Sequence, residues 1–80
     1  MDDQDVMNRI NEFAHEEHEL FERSSRESLS PEEHERLRWL GIQLDQTWDL
    51  LHQRRALRNA GLDPDDAKVR DPETVEGYVE

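Results

Sequence analysis

The sequence predicts an all-α protein in which two long helices form an antiparallel hairpin, followed by a short C-terminal tail. The first thirty residues contain neither glycine nor proline, and the next thirty contain only Pro31 and Gly41. Apolar residues recur in both stretches at steps of three and four, the spacing of one helical face and of coiled coils. The polar run ERSSRESLS, residues 22–30, suits the connection between the helices.

Helix 1 is predicted over about residues 3–23. Acids crowd its start, where the positive end of the helix macrodipole favours negative charge. Its apolar residues follow steps of four and three if Glu17 fills one gap in the stripe. The apolar residues are Val6, Ile10, Phe13, Ala14, Leu20 and Phe21.

Helix 2 is predicted over about residues 31–60. Ser30 followed by Pro31 and Glu33 is typical of a capping box with proline at the first helical position. Gly61 reads as a left-handed C-terminal cap. Helix 2 carries two apolar stripes on different sides, whereas one partner helix can cover only one of them.

The first stripe predicts the core within one chain, and the second predicts an interface. We expect the intrachain core to contain Ile10, Phe13, Leu20, Leu37, Leu40, Leu44, Trp48 and Leu51. An apolar strip left exposed usually marks an interface. We therefore expect a homodimer, most simply a four-helix bundle of two hairpins. Its interface is predicted to contain Trp39, Ile42, Gln46, Leu50 and Leu57.

The predicted hairpin occupies residues 1–62, and an acidic tail occupies residues 63–80. Two Asp-Pro steps in the tail each predict one or two helical turns. Its scattered apolar anchors are Leu62, Val69, Val75, Tyr78 and Val79. We expect partial docking of the tail, with three arginines of helix 2 holding three aspartates; the alternative is a mobile arm that orders on a partner. The predicted dock pairs Arg54, Arg55 and Arg58 with Asp63, Asp65 and Asp66.

Composition excludes several classes of partner. Formal net charge is −11 in 80 residues, with 39% charged and 32% hydrophobic residues. Such acidity disfavours nucleic acid and anionic membrane as partners. Cysteine is absent, so no disulfide or thiolate metal site is expected, and no apolar run approaches the length of a membrane span. We expect a cytoplasmic protein without a cofactor.

Candidate chemistry is sparse. Candidates for metal ligands are His15, His18, Asp49 and His52, because their spacing with nearby residues suits ligands on one helix. Their predicted positions face solvent or a flank of helix 2, which favours ordinary solvated side chains. We therefore expect a non-catalytic interaction or regulatory module, whose tail and charged rim are candidate contacts for another protein. The alternative is a small-ligand or metal-dependent enzyme using Asp45, Asp49 and His52.

The chain also resembles a family of small uncharacterised actinobacterial proteins, a domain of unknown function. The resemblance rests on LDQ and WDLL in residues 44–51, on the QRR that follows, and on GLDP in residues 61–64. His52 departs from the family pattern, in which arginine is expected. The resemblance implies no activity and no catalytic residue.

Overall fold

The computed structural model describes residues 1–76. Its elements are α1 (Asp3–Ser24), α2 (Pro31–Asn59), a 3₁₀ turn (Pro64–Asp66) and α3 (Pro72–Glu76). The all-helical class and the two long helices are confirmed. Tyr78 and Val79, which the sequence predicts as anchors of the tail, lie outside the described residues.

Both long helices begin with a capping box. The Asp5 backbone N–H donates to the Asp2 carboxylate at 2.8 Å, and the Asp2 backbone N–H donates to the Asp5 carboxylate at 3.2 Å. Before α2, the Glu33 N–H donates to the Ser30 hydroxyl at 3.1 Å, and the Ser30 N–H donates to the Glu33 carboxylate at 2.9 Å. These bonds satisfy donors that a helix start leaves without partners, so both starts are encoded locally.

The end of α2 turns the chain back on itself. Gly61 has φ of 76°, a left-handed conformation in which a side chain would be strained. The Leu62 N–H donates to the Leu57 carbonyl at 2.8 Å, and the Gly61 N–H donates to the Arg58 carbonyl at 3.0 Å. This Schellman motif closes the helix and sends the tail back along α2.

The two long helices are antiparallel and packed along their length. Contacts between them run from the start of α1 and the end of α2 to the connecting loop. The pairs are Asp3 with Arg54, Phe13 with Trp39, Glu16 with Arg36, and Arg23 with Glu33.

The core lies between α1 and α2 and continues beneath the tail. Its central cluster contains Val6, Ile10, Leu50 and Leu51, with Leu44 and Ala67 partly buried against it. Further buried apolar residues are Leu20, Leu29, Leu40 and Val75. Phe13 and Leu37, both predicted for the core, are half-buried.

Two predicted positions on α2 are corrected. Leu50, predicted at a dimer interface, is 8% exposed and belongs to the intrachain core. Trp48, predicted to be buried against helix 1, remains 42% exposed. The cause is rotation of α2, because the line that faces α1 passes between the two predicted stripes. Leu50 and Leu51 are 100° apart on a helix, so both can be covered once the tail adds a second wall.

The tail forms that second wall. The 3₁₀ turn and α3 both pack against α2, and the residues between them have no regular secondary structure. Val75 of α3 is 4% exposed, and Ala67 lies against the central cluster. The α2 helix is therefore covered by α1 on one side and by the chain's own tail on another.

Candidate interaction surfaces

Arg54 joins three parts of the chain. Its side chain is 7% exposed, and its Nε lies 2.7 Å from Asp3 Oδ1 at the start of α1. Its Nη1 lies 2.8 Å from Asp65 Oδ1 and 3.3 Å from the Pro64 carbonyl oxygen. Arg58 adds a second cation, with Nη1 at 2.8 Å from Asp3 Oδ2. We call these side chains the Arg54 clasp, comprising Arg54, Arg58, Asp3 and Asp65.

The clasp changes the acidity of its carboxylates. Hydrogen bonds donated by Arg58 and then Arg54 hold the pKa of Asp3 well below its ordinary value. The hydrogen bond from Arg54 likewise lowers the pKa of Asp65. Both shifts have the cause expected for carboxylates that accept charge-assisted hydrogen bonds from guanidinium groups. The clasp therefore favours the ionised carboxylates.

The predicted tail dock is partly rearranged. Arg54 holds Asp65, but Arg58 reaches Asp3 in α1 rather than the tail. Asp63 instead caps the 3₁₀ turn, accepting the Asp65 N–H at 2.9 Å. The exposed Arg55 lies next to the clasp in sequence but points elsewhere, since one residue turns a helix by 100°.

Two glutamines of α2 bind the backbone of the tail. Gln46 Nε2 donates to the Arg70 carbonyl at 3.0 Å, and Gln53 Nε2 donates to the Lys68 carbonyl at 2.8 Å. Leu50 lies between them in sequence, one turn from each. We call Gln46, Leu50 and Gln53 the tail seam. Gln46, which the sequence predicts at a dimer interface, is thus engaged by the tail of its own chain.

Two of the three side chains of the alternative enzyme site already contact other side chains. Asp49 accepts a hydrogen bond from Gln53 at 2.8 Å and pairs with Arg70 at 3.2 Å. The His52 ring lies 6.0 Å from the Trp48 ring and is exposed. Asp45 is half-buried. Asp49 and His52 therefore already have close neighbours of their own.

The histidines of α1 pair within their own helix. His15 Nε2 lies 3.1 Å from a Glu19 oxygen, and His18 Nε2 lies 3.3 Å from a Glu22 oxygen. All four side chains are well exposed. Within residues 1–76, no group of three or more potential metal ligands converges.

One edge of the hairpin is aromatic and cationic. The Phe13 and Trp39 rings meet edge to face, with centroids 5.5 Å apart and planes at 89°. The Arg36 guanidinium lies 4.3 Å above the Trp39 ring, and Arg36 also binds Glu16, lowering that carboxyl's pKa. We call this the Trp39 edge. Ile42 and Leu57, the other predicted dimer contacts, are half-buried.

The opposite side of the hairpin carries a long stripe on each helix without Asp, Glu, Lys or Arg. In a chain with 39% charged residues, this sets the side apart. Phe21, Trp48 and Met7 are its most exposed large side chains, at 53%, 42% and 38%. The steps along both stripes are four and three, the heptad spacing. We call it the Trp48 face, consisting of Met7, Asn11, Ala14, His18, Phe21, Leu37, Gly41, Leu44 and Trp48.

Helix geometry places both stripes on one side. Trp39 and Trp48 are nine residues apart in α2, which turns the helix by about 180°. On α1, Phe13 contacts the Trp39 edge, and Met7 lies about 120° round the helix from it. Val6 and Ile10 point between the helices, so the Met7 stripe emerges beside the Trp48 stripe. The described part of the tail, residues 63–76, packs on the far side of α2 from this face.

Sequence reasoning predicted the Arg54–Asp65 contact of the clasp, but it missed the role of Asp3 and the tail seam. Asp3 and Arg54 are 51 residues apart, and no local signal pairs them. The seam had a signal in the glutamines spaced along α2, which indicate an interface that retains polarity. In the structure, Gln46 and Gln53 of this stripe bind the tail.

These features define a small helical hairpin with its own tail docked and one apolar face exposed. The chain belongs to the family described as Protein of unknown function (DUF2630), which it matches over residues 2–80. It is 58% identical over 48 residues to an uncharacterised protein of Mycobacterium bovis and to one of Mycobacterium tuberculosis. The match covers 60% of this chain and 55% of each relative, so it spans about half the length of those curated relatives. No solved structure matches.

Neither long helix offers a membrane span. Across the described residues, no helix combines the length and apolar character needed to cross a bilayer.

Proposed function

We propose that the chain is a non-catalytic protein-interaction module that acts as a homodimer through the Trp48 face. The observation that carries the proposal is this face itself, with three large apolar side chains exposed along two heptad stripes that contain no Asp, Glu, Lys or Arg. Charge depletion and exposed aromatic residues are the compositional marks of an interface core.

The heptad spacing indicates what covers the face. Side chains at steps of four and three pack best into the matching pattern of another helix. A second copy presents the same two stripes, so stacking two hairpins face to face gives a closed four-helix bundle. Two copies that each carry a net charge of −11 repel each other, and this repulsion is weakest where neither surface carries acids, as on the Trp48 face.

The other candidate surfaces have less room for a second copy. The tail seam is occupied by residues 68–70 of the same chain. At the Trp39 edge, the indole is already packed by Phe13 and Arg36. The proposed dimer interface therefore moves from the predicted second stripe to the opposite side of α2.

An enzyme at Asp45, Asp49 and His52 has weaker support, because Asp49 is engaged by Gln53 and Arg70. Contacts with another protein through the tail or charged rim remain a prediction. So do the cytoplasmic location and the exclusion of nucleic acid as a partner.

Sedimentation equilibrium of three chains tests the proposal. The two tryptophans make a matched pair, because Trp48 is 42% exposed and Trp39 is 41% exposed on opposite sides of α2. We expect the wild type to dimerise with rising concentration, Trp48→Glu to remain monomeric, and Trp39→Glu to dimerise like the wild type. Helix content by circular dichroism controls for folding.

Two results would overturn the proposal. A wild-type chain that stays monomeric at every concentration would leave the face without its partner. A dimer that survives Trp48→Glu but is lost in Trp39→Glu would return the interface to the Trp39 edge.

A further inference from the structure

Gly41 lies in the interior of α2, where glycine is unfavourable. Compared with alanine it loses more backbone freedom on folding and contributes no side-chain contact. A Cβ built at this position would meet one neighbouring atom, Glu17 Oε2, at 3.9 Å. That distance is an ordinary van der Waals contact with the end of a flexible side chain. The packing of α1 against α2 therefore does not require glycine here.

Trp48 lies seven residues after Gly41 on the same stripe of the Trp48 face. Seven residues are close to two turns, so both positions point to the same side of α2. The Trp48 side chain remains 42% exposed, although its ring lies 6.0 Å from that of His52. One stripe thus carries a large projecting side chain and, about 10 Å along the helix, a position with no side chain.

We propose that the Trp48 indole of one copy packs over Gly41 of a second copy, with two α2 helices antiparallel. This inference rests on the proposed homodimer and adds the register of its interface. Positions 41 and 48 are equally far from the peptide bond between Leu44 and Asp45, so a twofold axis opposite this bond lies midway between them. It places Trp48 of each copy over Gly41 of the other, so one axis forms both contacts.

The absence of a side chain at position 41 then has a physical role. An indole is among the largest side chains, and it can approach a helix closely only where no Cβ intervenes. A small residue facing a large one is the usual way in which facing layers interdigitate at native density. The unfavourable glycine is retained in the helix because the contact between copies uses the space that it leaves.

The same axis brings two carboxylates near each other. Asp45 is half-buried and adjacent to the axis, so its two copies repel across the interface. Asp45→Asn is therefore expected to tighten the dimer, by about twofold in the dissociation constant. An unchanged or weaker dimer in this variant would place the axis elsewhere.

Gly41→Ala provides the main test because its two effects have opposite signs. We expect the melting temperature, measured at a concentration where the chain is monomeric, to rise by about 4–8 °C. We expect the dimer dissociation constant from sedimentation equilibrium to rise several-fold for Gly41→Ala and about tenfold or more for Gly41→Leu. A glycine with a merely structural role in the monomer would not produce this reversal.

Exchanging the two residues supplies a rescue. The variants Gly41→Trp and Trp48→Gly should each dimerise poorly. Gly41→Trp places two indoles at each contact, and Trp48→Gly leaves two glycines facing each other with a gap between them. The double variant Gly41→Trp/Trp48→Gly restores one indole facing one glycine at each contact. We expect its dissociation constant to lie within about tenfold of the wild-type value, provided that circular dichroism shows equal helix content.

The outcomes separate this inference from the proposed function. A wild-type chain that stays monomeric would overturn both this inference and the proposed function. A wild-type dimer lost in Trp48→Glu but unchanged in Gly41→Ala and Gly41→Leu would keep the Trp48 face as the interface. That result would overturn the packing of Trp48 over Gly41.

Discussion

The two sides of α2 solve different packing problems. On the tail seam, Gln46 and Gln53 donate to carbonyls of a segment without regular secondary structure, whose backbone groups need partners. On the Trp48 face, Leu44 and Trp48 offer apolar surface that suits another helix, whose backbone groups are already bonded internally. The comparison teaches that the polarity of a helical stripe indicates the kind of chain segment that covers it.

Removing the centre of the tail-covered side should have the largest effect on stability. Leu50→Ala is expected to lower the free energy of unfolding by about 2–5 kcal/mol, because Leu50 is buried in the central cluster. Leu57→Ala is the control, since Leu57 belongs to the same predicted stripe but is half-buried, and it should cost about 1 kcal/mol. Urea unfolding followed by circular dichroism measures both. Equal losses in the two variants would show that Leu50 is not a core residue.

Disrupting the Arg54 clasp should have the next largest effect on stability. Arg54→Met leaves Asp3 and Asp65 without their shared cation, so we expect a clear fall in the urea midpoint. Arg55→Met changes the neighbouring, exposed arginine and should leave the midpoint unchanged. Comparable midpoints for both variants would contradict the clasp.

Acid should weaken the clasp in a defined pH range. The folded-state pKa of Asp3 is lowered, chiefly by Arg58 and then Arg54, so its stabilising contribution is present above the ordinary value of about 3.9. The contribution is lost progressively as the pH falls from there toward the lowered pKa, because folding then requires release of a proton that the unfolded chain binds. The free energy of unfolding is measured at pH 6 and at pH 3. Asp3→Asn should reduce the loss of stability between these two values, whereas the exposed control Glu12→Gln should not. Identical pH profiles for wild type and Asp3→Asn would rule out this role.

The tail seam itself should give the smallest and most local effect. Gln53→Ala removes the donor to the Lys68 carbonyl, which is expected to cost about 1 kcal/mol and raise the open population of the tail about fivefold. Trypsin cleavage after Lys68 reports that population when opening is fast. Gln4→Ala, an exposed glutamine of α1, is the control. A cleavage rate unaffected by Gln53→Ala would show that the seam does not hold the tail.

The features that depend on neighbouring residues could be predicted from the sequence. Ser30, Pro31 and Glu33 encode the start of α2, and Gly61 encodes its end, because caps are made within one turn. The rotation of α2 could not be read in this way. Two heptad stripes compete for α1, and the choice is made by contacts such as Asp3 with Arg54, which are remote in sequence.

The candidate surface shows the same division. Periodicity identified an unpartnered stripe on α2. It could not show that the tail would cover this stripe by accepting hydrogen bonds from its glutamines. The Gln46 bond to Arg70 joins residues 24 apart, across a turn whose direction depends on Gly61. The aromatic side chains left exposed could be recognised only after the tail had been placed.

Acrylamide quenching of single-tryptophan chains would show directly which side of α2 a second copy covers. Trp39→Phe leaves Trp48 as the reporter, and Trp48→Phe leaves Trp39, with aromatic side chains kept at both positions. As the protein concentration rises through dimerisation, the Trp48 quenching constant should fall while that of Trp39 stays constant. A constant Trp48 signal, or protection of Trp39 instead, would contradict the assignment of the Trp48 face as the interface.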